Sequence, residues 1–97
     1  MVCSNEPGYY KQGSYGIRIE NLVLVTEPVT PDGGDRPVMA FETLTMVPID
    51  RRLIERSMLT EQERRWIDSY HAEVQAKIGP LVDVETHIWL TNATDQL

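Results

Sequence analysis

One cysteine in the whole chain, Cys3, leaves no partner for an intrachain disulfide, and a reducing compartment is the natural reading. Cys3 also lacks a CxxC partner or an evident base, so an inert thiol is expected. Histidine is scarce. His71 and His87 belong to no H-x-x-x-H or H-E-x-x-H pattern, and structural or surface roles are expected for both. Positive charge is scarce as well: nine Lys and Arg face fifteen Asp and Glu, a net charge of −6. That balance argues against nucleic acid and against anionic membrane surfaces, which need clustered Lys and Arg. No apolar run approaches the roughly 18 residues of a membrane span. Residues 1–6 show no basic segment followed by an apolar one, so no signal peptide is expected and the location is read as cytoplasmic. The Gly13–Gly16 stretch does not match a phosphate loop, and Asp32-Gly33-Gly34-Asp35 is too short for a calcium loop.

What is present suits a small folded domain. The chain is 41% hydrophobic and 25% charged over 97 residues, enough for a core with little to spare. Its order is strands first, helices after, which predicts an α+β protein. Met1–Asn5 is a short strand candidate broken by Pro7-Gly8. Residues 17–26 form the clearest strand, and the two should pair as a wide antiparallel hairpin. Residues 27–37, EPVTPDGGDRP, hold three prolines and two glycines and predict an exposed loop. Residues 38–49 return to strand character until Pro48.

Asp50 can cap a short helix running through Arg51, Leu53, Ile54 and Met58. Thr60-Glu61-Gln62-Glu63 is a capping box. Behind it Trp66, Ile67, Tyr70, Val74 and Ile78 recur at helical spacing until Gly79-Pro80. Asp83 can cap a last helix through Glu85, Ile88, Trp89 and Leu90, and Thr94–Leu97 should fray. Trp66 and Trp89 are read as core or packing residues.

The difficulty lies in Ile17-Arg18-Ile19-Glu20-Asn21-Leu22-Val23. Arg18 and Glu20, two apart, leave one face of a strand together with Leu22 and Leu24, while Ile17 and Ile19 face the other way. Periodicity alone reads this as a surface face with a weak ion pair. The sharper reading is a carboxylate held in an apolar strand by a cation, with Arg18 supporting it. Glu6, beside Pro7-Gly8, poses the same choice, and a hairpin could bring Glu6 and Glu20 together. Two carboxylates alone do not specify a metal site.

Taken together, Asn5-Glu6-Pro7-Gly8-Tyr9-Tyr10 and Gly16-Ile17-Arg18-Ile19-Glu20-Asn21 resemble the closing part of the metal site in Xaa-Pro aminopeptidases (aminopeptidase P), a family of pita-bread metallopeptidases. Residues 41–50 resemble the segment that follows in the long form of that enzyme. The helix after Leu59-Thr60, with Trp66-Ile67 and Tyr70-His71, resembles its C-terminal extension. The resemblance implies that residues 1–50 end a pita-bread catalytic domain, with antiparallel strands, and that 51–97 form a helical extension. In the family two divalent metals, usually manganese (Mn2+), are held by two Asp, one His and two Glu. Glu6 and Glu20 map onto the two Glu ligands, Glu20 bridging both ions. Glu6 also maps onto the proton acceptor, Arg18 onto a residue near the bridging carboxylate, and Tyr10 onto an aromatic position near the site.

The implied substrates are peptides with proline at the second position, cut before the proline. The two Asp and the His normally precede this segment, where only five residues stand before Glu6. The chain is therefore expected to be the C-terminal part of an aminopeptidase, inactive alone, holding its ions weakly or not at all. Two alternatives compete: an interaction or dimerisation module whose apolar stripe at Trp66, Ile67, Tyr70, Val74 and Ile78 docks on a catalytic core or forms a homodimer, and a non-catalytic remnant of the same fold.

Overall fold

The computed structural model describes all residues, 1–97. The chain divides into two compact units, Met1–Thr45 and Met46–Leu97.

The first unit is built on five strands: β1 (Val2–Asn5), β2 (Gly8–Lys11), β3 (Tyr15–Arg18), β4 (Asn21–Val25) and β5 (Phe41–Thr43). One sheet has the order β1-β4-β5, and β2 pairs with β3 in a second; both are antiparallel. The expected wide hairpin exists, since β1 pairs with β4 from Val2 opposite Leu24 to Asn5 opposite Asn21. What fills its loop corrects the expectation. The stretch around Gly13 and Gly16 is a second, tight hairpin, Gly8 opposite Arg18 to Lys11 opposite Tyr15. Gly13 sits at its tip with φ +70, a conformation that glycine adopts without strain.

The single strand expected over 17–26 is thus two strands, interrupted at Ile19-Glu20. The reason is Pro7. The Ile19 amide donates to the Pro7 carbonyl at 3.1 Å, but Pro7 has no N–H to return, so the ladder loses a bond there. The strand expected over 38–49 shrinks to β5, with Val38 only bridging Val29 at the base of the 27–37 loop.

The second unit packs helix α1 (Glu61–Ile78) with α2 (Val84–Ala93). Thr60 and Glu63 form the capping box: the Glu63 amide donates to Thr60 Oγ1 and the Thr60 amide to Glu63 Oε2. Asp83 caps α2 by accepting from the Thr86 amide at 2.7 Å. Tyr70, Val74 and Leu90 make the core, joined by the partly buried Met46, Ile49 and Ile78. The segment 46–50 has no regular secondary structure and is held by α1 through polar bonds as well. Tyr70 Oη donates to the Val47 carbonyl at 2.7 Å and accepts from its amide at 3.3 Å, while His71 Nε2 accepts from the Ile49 amide at 2.9 Å. His71 is fully buried, in keeping with the structural role expected of it.

Four expectations fail here. The helix after Asp50 is two single 3₁₀ turns, Arg51–Leu53 and Arg56–Met58. Asp50 and Glu55 each accept from the amide two residues on, and each such local cap starts its own turn. The C-terminal residues are anchored instead of frayed: the Leu97 amide donates to Asp68 Oδ1, its carbonyl accepts from Arg64, and its side chain is buried. Trp89 is 60% exposed and no core residue, whereas Trp66, 44% exposed, does pack as expected, stacked on Tyr70 at 5.4 Å. The stripe proposed for docking is mostly spent internally, because Ile67, Tyr70 and Val74 are buried. No helix is long and apolar enough to cross a membrane.

Candidate functional site

The two hairpins share one register. Pairs run from Val2–Leu24 through Asn5–Asn21 to Gly8–Arg18 and Lys11–Tyr15, with the Pro7–Ile19 bond filling the gap. Glu6 therefore falls opposite Glu20. The Ile19–Pro7 and Val25–Met1 bonds mark the odd-numbered pairs as hydrogen-bonded, so Glu6–Glu20 occupies a position of the non-hydrogen-bonded kind. Side chains stand closest at such pairs. Two like charges there repel, and the arrangement favours a cation between or beside them.

Ser4, Glu6, Gly8 and Tyr10 on one chain segment, and Leu22, Glu20, Arg18 and Gly16 on the other, share one face by alternation. The glycines make room on it. A Cβ on Gly8 would lie 2.6 Å from the Ile17 carbonyl oxygen and 2.9 Å from Arg18 Cγ. A Cβ on Gly16 would lie 2.9 Å from the Tyr10 ring. Arg18 can thus lie across its partner strand, its guanidinium carbon 5.9 Å from the centre of the Tyr10 ring and its Nε 3.7 Å from Glu20 Oε1. Tyr10 first, and Glu20 after it, hold the guanidinium above its ordinary pKa.

Glu20 is not sunk in an apolar strand. It lies at the break between β3 and β4 with its side chain 51% exposed, and Glu6 is exposed too. In this chain, water can solvate both carboxylates. Ser4 Oγ donates to Glu6 Oε1 at 2.5 Å. Ser4, Glu20, Asn21, Leu22 and Thr45 line one open cleft, where Thr45 Oγ1 accepts from the Leu22 amide at 2.7 Å. Asn21 is buried, and its Nδ2 has no hydrogen-bond partner.

The structure brings Glu6, Arg18, Glu20 and Tyr10 to one face of one hairpin. Ser4 and Asn21 were not anticipated as site residues. The alternation that groups Arg18 with Glu20 also groups Ser4 with Glu6, and was the signal available for Ser4. No group of three or more His, Cys, Asp or Glu converges as a metal site. Glu6 and Glu20 are hard oxygen donors of the right type for a divalent ion, and they fall short of a complete donor set.

A family model described as the C-terminal region of peptidase M24 matches residues 37–97, and a model of metallopeptidase family M24 matches residues 1–27. The chain belongs to this metallopeptidase family. Among curated relatives, a probable Xaa-Pro aminopeptidase P from Laccaria bicolor is 50% identical over 93% of the chain. Another from Coprinopsis cinerea is 48% identical over 97% of it. A crystal structure described as X-prolyl aminopeptidase from Caenorhabditis elegans, a cytosolic enzyme with a di-nuclear active site, covers 99% of the chain with a TM-score of 0.84 at 31% identity. The chain spans only 14% and 16% of those two curated relatives and 16% of that structure. The M24 resemblance and the α+β, pita-bread C-terminal architecture are both borne out.

Proposed function

We propose that this chain is the C-terminal part of a dinuclear-metal Xaa-Pro aminopeptidase and supplies two of its metal ligands, Glu6 and Glu20. The observation that carries the proposal is their register: two carboxylates opposite each other at a close-approach position, flanked by Arg18, in a member of family M24. Residues 1–50 then close the catalytic domain, and 51–97 form its helical extension. The substrates are peptides with proline second, and the bond cut is the one before the proline. The location is cytoplasmic, in keeping with the cytosolic nematode neighbour and the lone thiol.

Glu6 and Glu20 would hold two divalent ions, Mn2+ by their preference for oxygen donors. Such ions, when bound, supply a nucleophile at neutral pH and positive charge for the developing oxyanion. Glu6 would also serve as the proton acceptor of the site. Arg18 holds Glu20 in place and leaves one carboxylate oxygen of Glu20 outside its 3.7 Å contact. The remaining donors come from other parts of the complete enzyme, so the 97 residues alone are inactive.

In the complete protein, Glu20→Ala should abolish hydrolysis of a Xaa-Pro peptide and release metal measurable by elemental analysis. Retention of both would overturn the assignment. Hydrolysis by the purified 97-residue chain, proportional to its concentration and lost in Glu20→Ala, would overturn the claim that it is inactive alone. Self-association is the second part of the proposal, supported by the exposed Val84, Ile88 and Trp89 on α2. A monomer by light scattering at all concentrations of the complete protein would rule out the homodimer.

A further inference from the structure

The hydroxyl of Ser4 makes one side-chain bond, and it goes to a carboxylate the mechanism depends on. Ser4 Oγ donates to Glu6 Oε1 at 2.5 Å. Ser4 lies two residues before Glu6 in an extended segment, so both side chains leave the same face. Across the ladder Ser4 stands opposite Leu22, next to the Glu6–Glu20 position, and it lines one cleft with Glu20. It is therefore a neutral donor beside the carboxylate pair. An ionised carboxylate offers about four lone-pair sites on two oxygens. A donor fixed on Oε1 takes one of them, limits rotation of the group, and leaves Oε2 directed elsewhere. Glu6 sits on an exposed segment between two short strands, followed by a proline. A ligand in such a place gains most from an added restraint, because an unrestrained carboxylate must lose its rotamer freedom when an ion binds.

From this geometry we infer that Ser4 is a positioning residue for Glu6: its hydroxyl, bound to Oε1, restrains the carboxylate that would hold the divalent ion. The inference rests on the reading of Glu6 as a metal ligand. Serine suits the task because its donor is neutral. A Lys or Arg at the same place would compete with the ions for the negative charge of Glu6, and the hydroxyl leaves that charge in place. Outer groups that orient metal ligands typically affect metal affinity or activity by about 10- to 100-fold.

The test uses the complete protein and reads metal binding directly, by equilibrium dialysis against Mn2+ with the bound metal counted, alongside kcat and KM for a Xaa-Pro peptide. Ser4→Ala should weaken Mn2+ binding about 10-fold, lower kcat at limiting metal, and leave KM for the peptide within about 2-fold. Ser4→Thr keeps the hydroxyl and should restore metal binding to within about 3-fold. Ser4 is exposed, so Ser4→Ala should fold, and an unchanged circular dichroism spectrum checks this. Unchanged metal binding in Ser4→Ala overturns the inference, as does equal weakening in Ser4→Thr. Glu6→Ala, run in parallel, separates the two levels. If Glu6→Ala loses metal while Ser4→Ala does not, the role of Ser4 alone fails. If Glu6→Ala keeps its metal, the reading of Glu6 as a ligand fails and takes the role of Ser4 with it.

Discussion

Removing a single oxygen by Tyr70→Phe tests how the segment before the helices is held. The Tyr70 hydroxyl bonds twice to one residue, donating to the Val47 carbonyl at 2.7 Å and accepting from the Val47 amide at 3.3 Å. A typical bond contributes about 1 kcal/mol net, and the longer one contributes less. The ring is unaffected: Tyr70 is 4% exposed, stacks on Trp66, and packs with Val74 and Leu90. Val47 itself is 62% exposed, so water can reach its freed amide and carbonyl, and the full penalty for orphaned buried groups does not apply. The expected loss is about 1–1.5 kcal/mol, roughly a 5- to 13-fold drop in the folding equilibrium. Tyr70→Ala, which also empties the core, should cost about 3–5 kcal/mol. Both tryptophans lie within Met46–Leu97, so a urea titration followed by their fluorescence reports on this unit. A Tyr70→Phe loss above about 3 kcal/mol would mean that water cannot replace the hydroxyl, and a loss below about 0.3 kcal/mol that the two bonds hold nothing.

Burial first, and the Arg51 charge second, lower the pKa of His71 below its ordinary 6.5, with Asp68 opposing them. The unfolded chain then takes up a proton that the folded one resists, so stability is complete above pH 6.5 and falls as the pH drops towards the depressed folded value. Urea midpoints should decline from about pH 7.5 to about pH 5, and less so in His71→Gln; a rise on acidification would refute this. Gly8→Ala places a Cβ 2.6 Å from the Ile17 oxygen, so the β2–β3 pairing must open at a cost of about 1–3 kcal/mol, visible as lost NMR contacts between Tyr9 and Ile17. Intact contacts would show that the strands can separate freely at that pair.

Local chemistry was legible in the sequence. The Thr60–Glu63 box and the Asp83 cap form between residues three apart, so neighbours in sequence decide them. The alternation that grouped Arg18 with Glu20 also held, because it needs only the pleat. What failed depended on partners far along the chain. Nothing in the Ile-, Leu- and Val-rich run over residues 17–25 announces that Pro7, twelve residues away from Ile19, will withhold a bond. The anchoring of Leu97 by Asp68 and Arg64 spans about thirty residues and leaves no local pattern. The proposal of Glu6 and Glu20 as metal ligands rests on the family's motifs, since two carboxylates in isolation read more readily as a solvated surface.

The unbroken register from residue 2 to residue 24 makes the hairpin a ruler. Its tip, around Gly13, sets which residue faces Glu6 some seven positions away. Losing one residue from the tip would bring an apolar neighbour or Asn21 opposite Glu6 and turn Glu20 to the other face. Length change here is tolerated only when one residue enters or leaves on each arm together. A lineage can thus lengthen or trim this finger in matched steps, and any odd step dismantles the carboxylate pair while leaving every residue of it in the sequence.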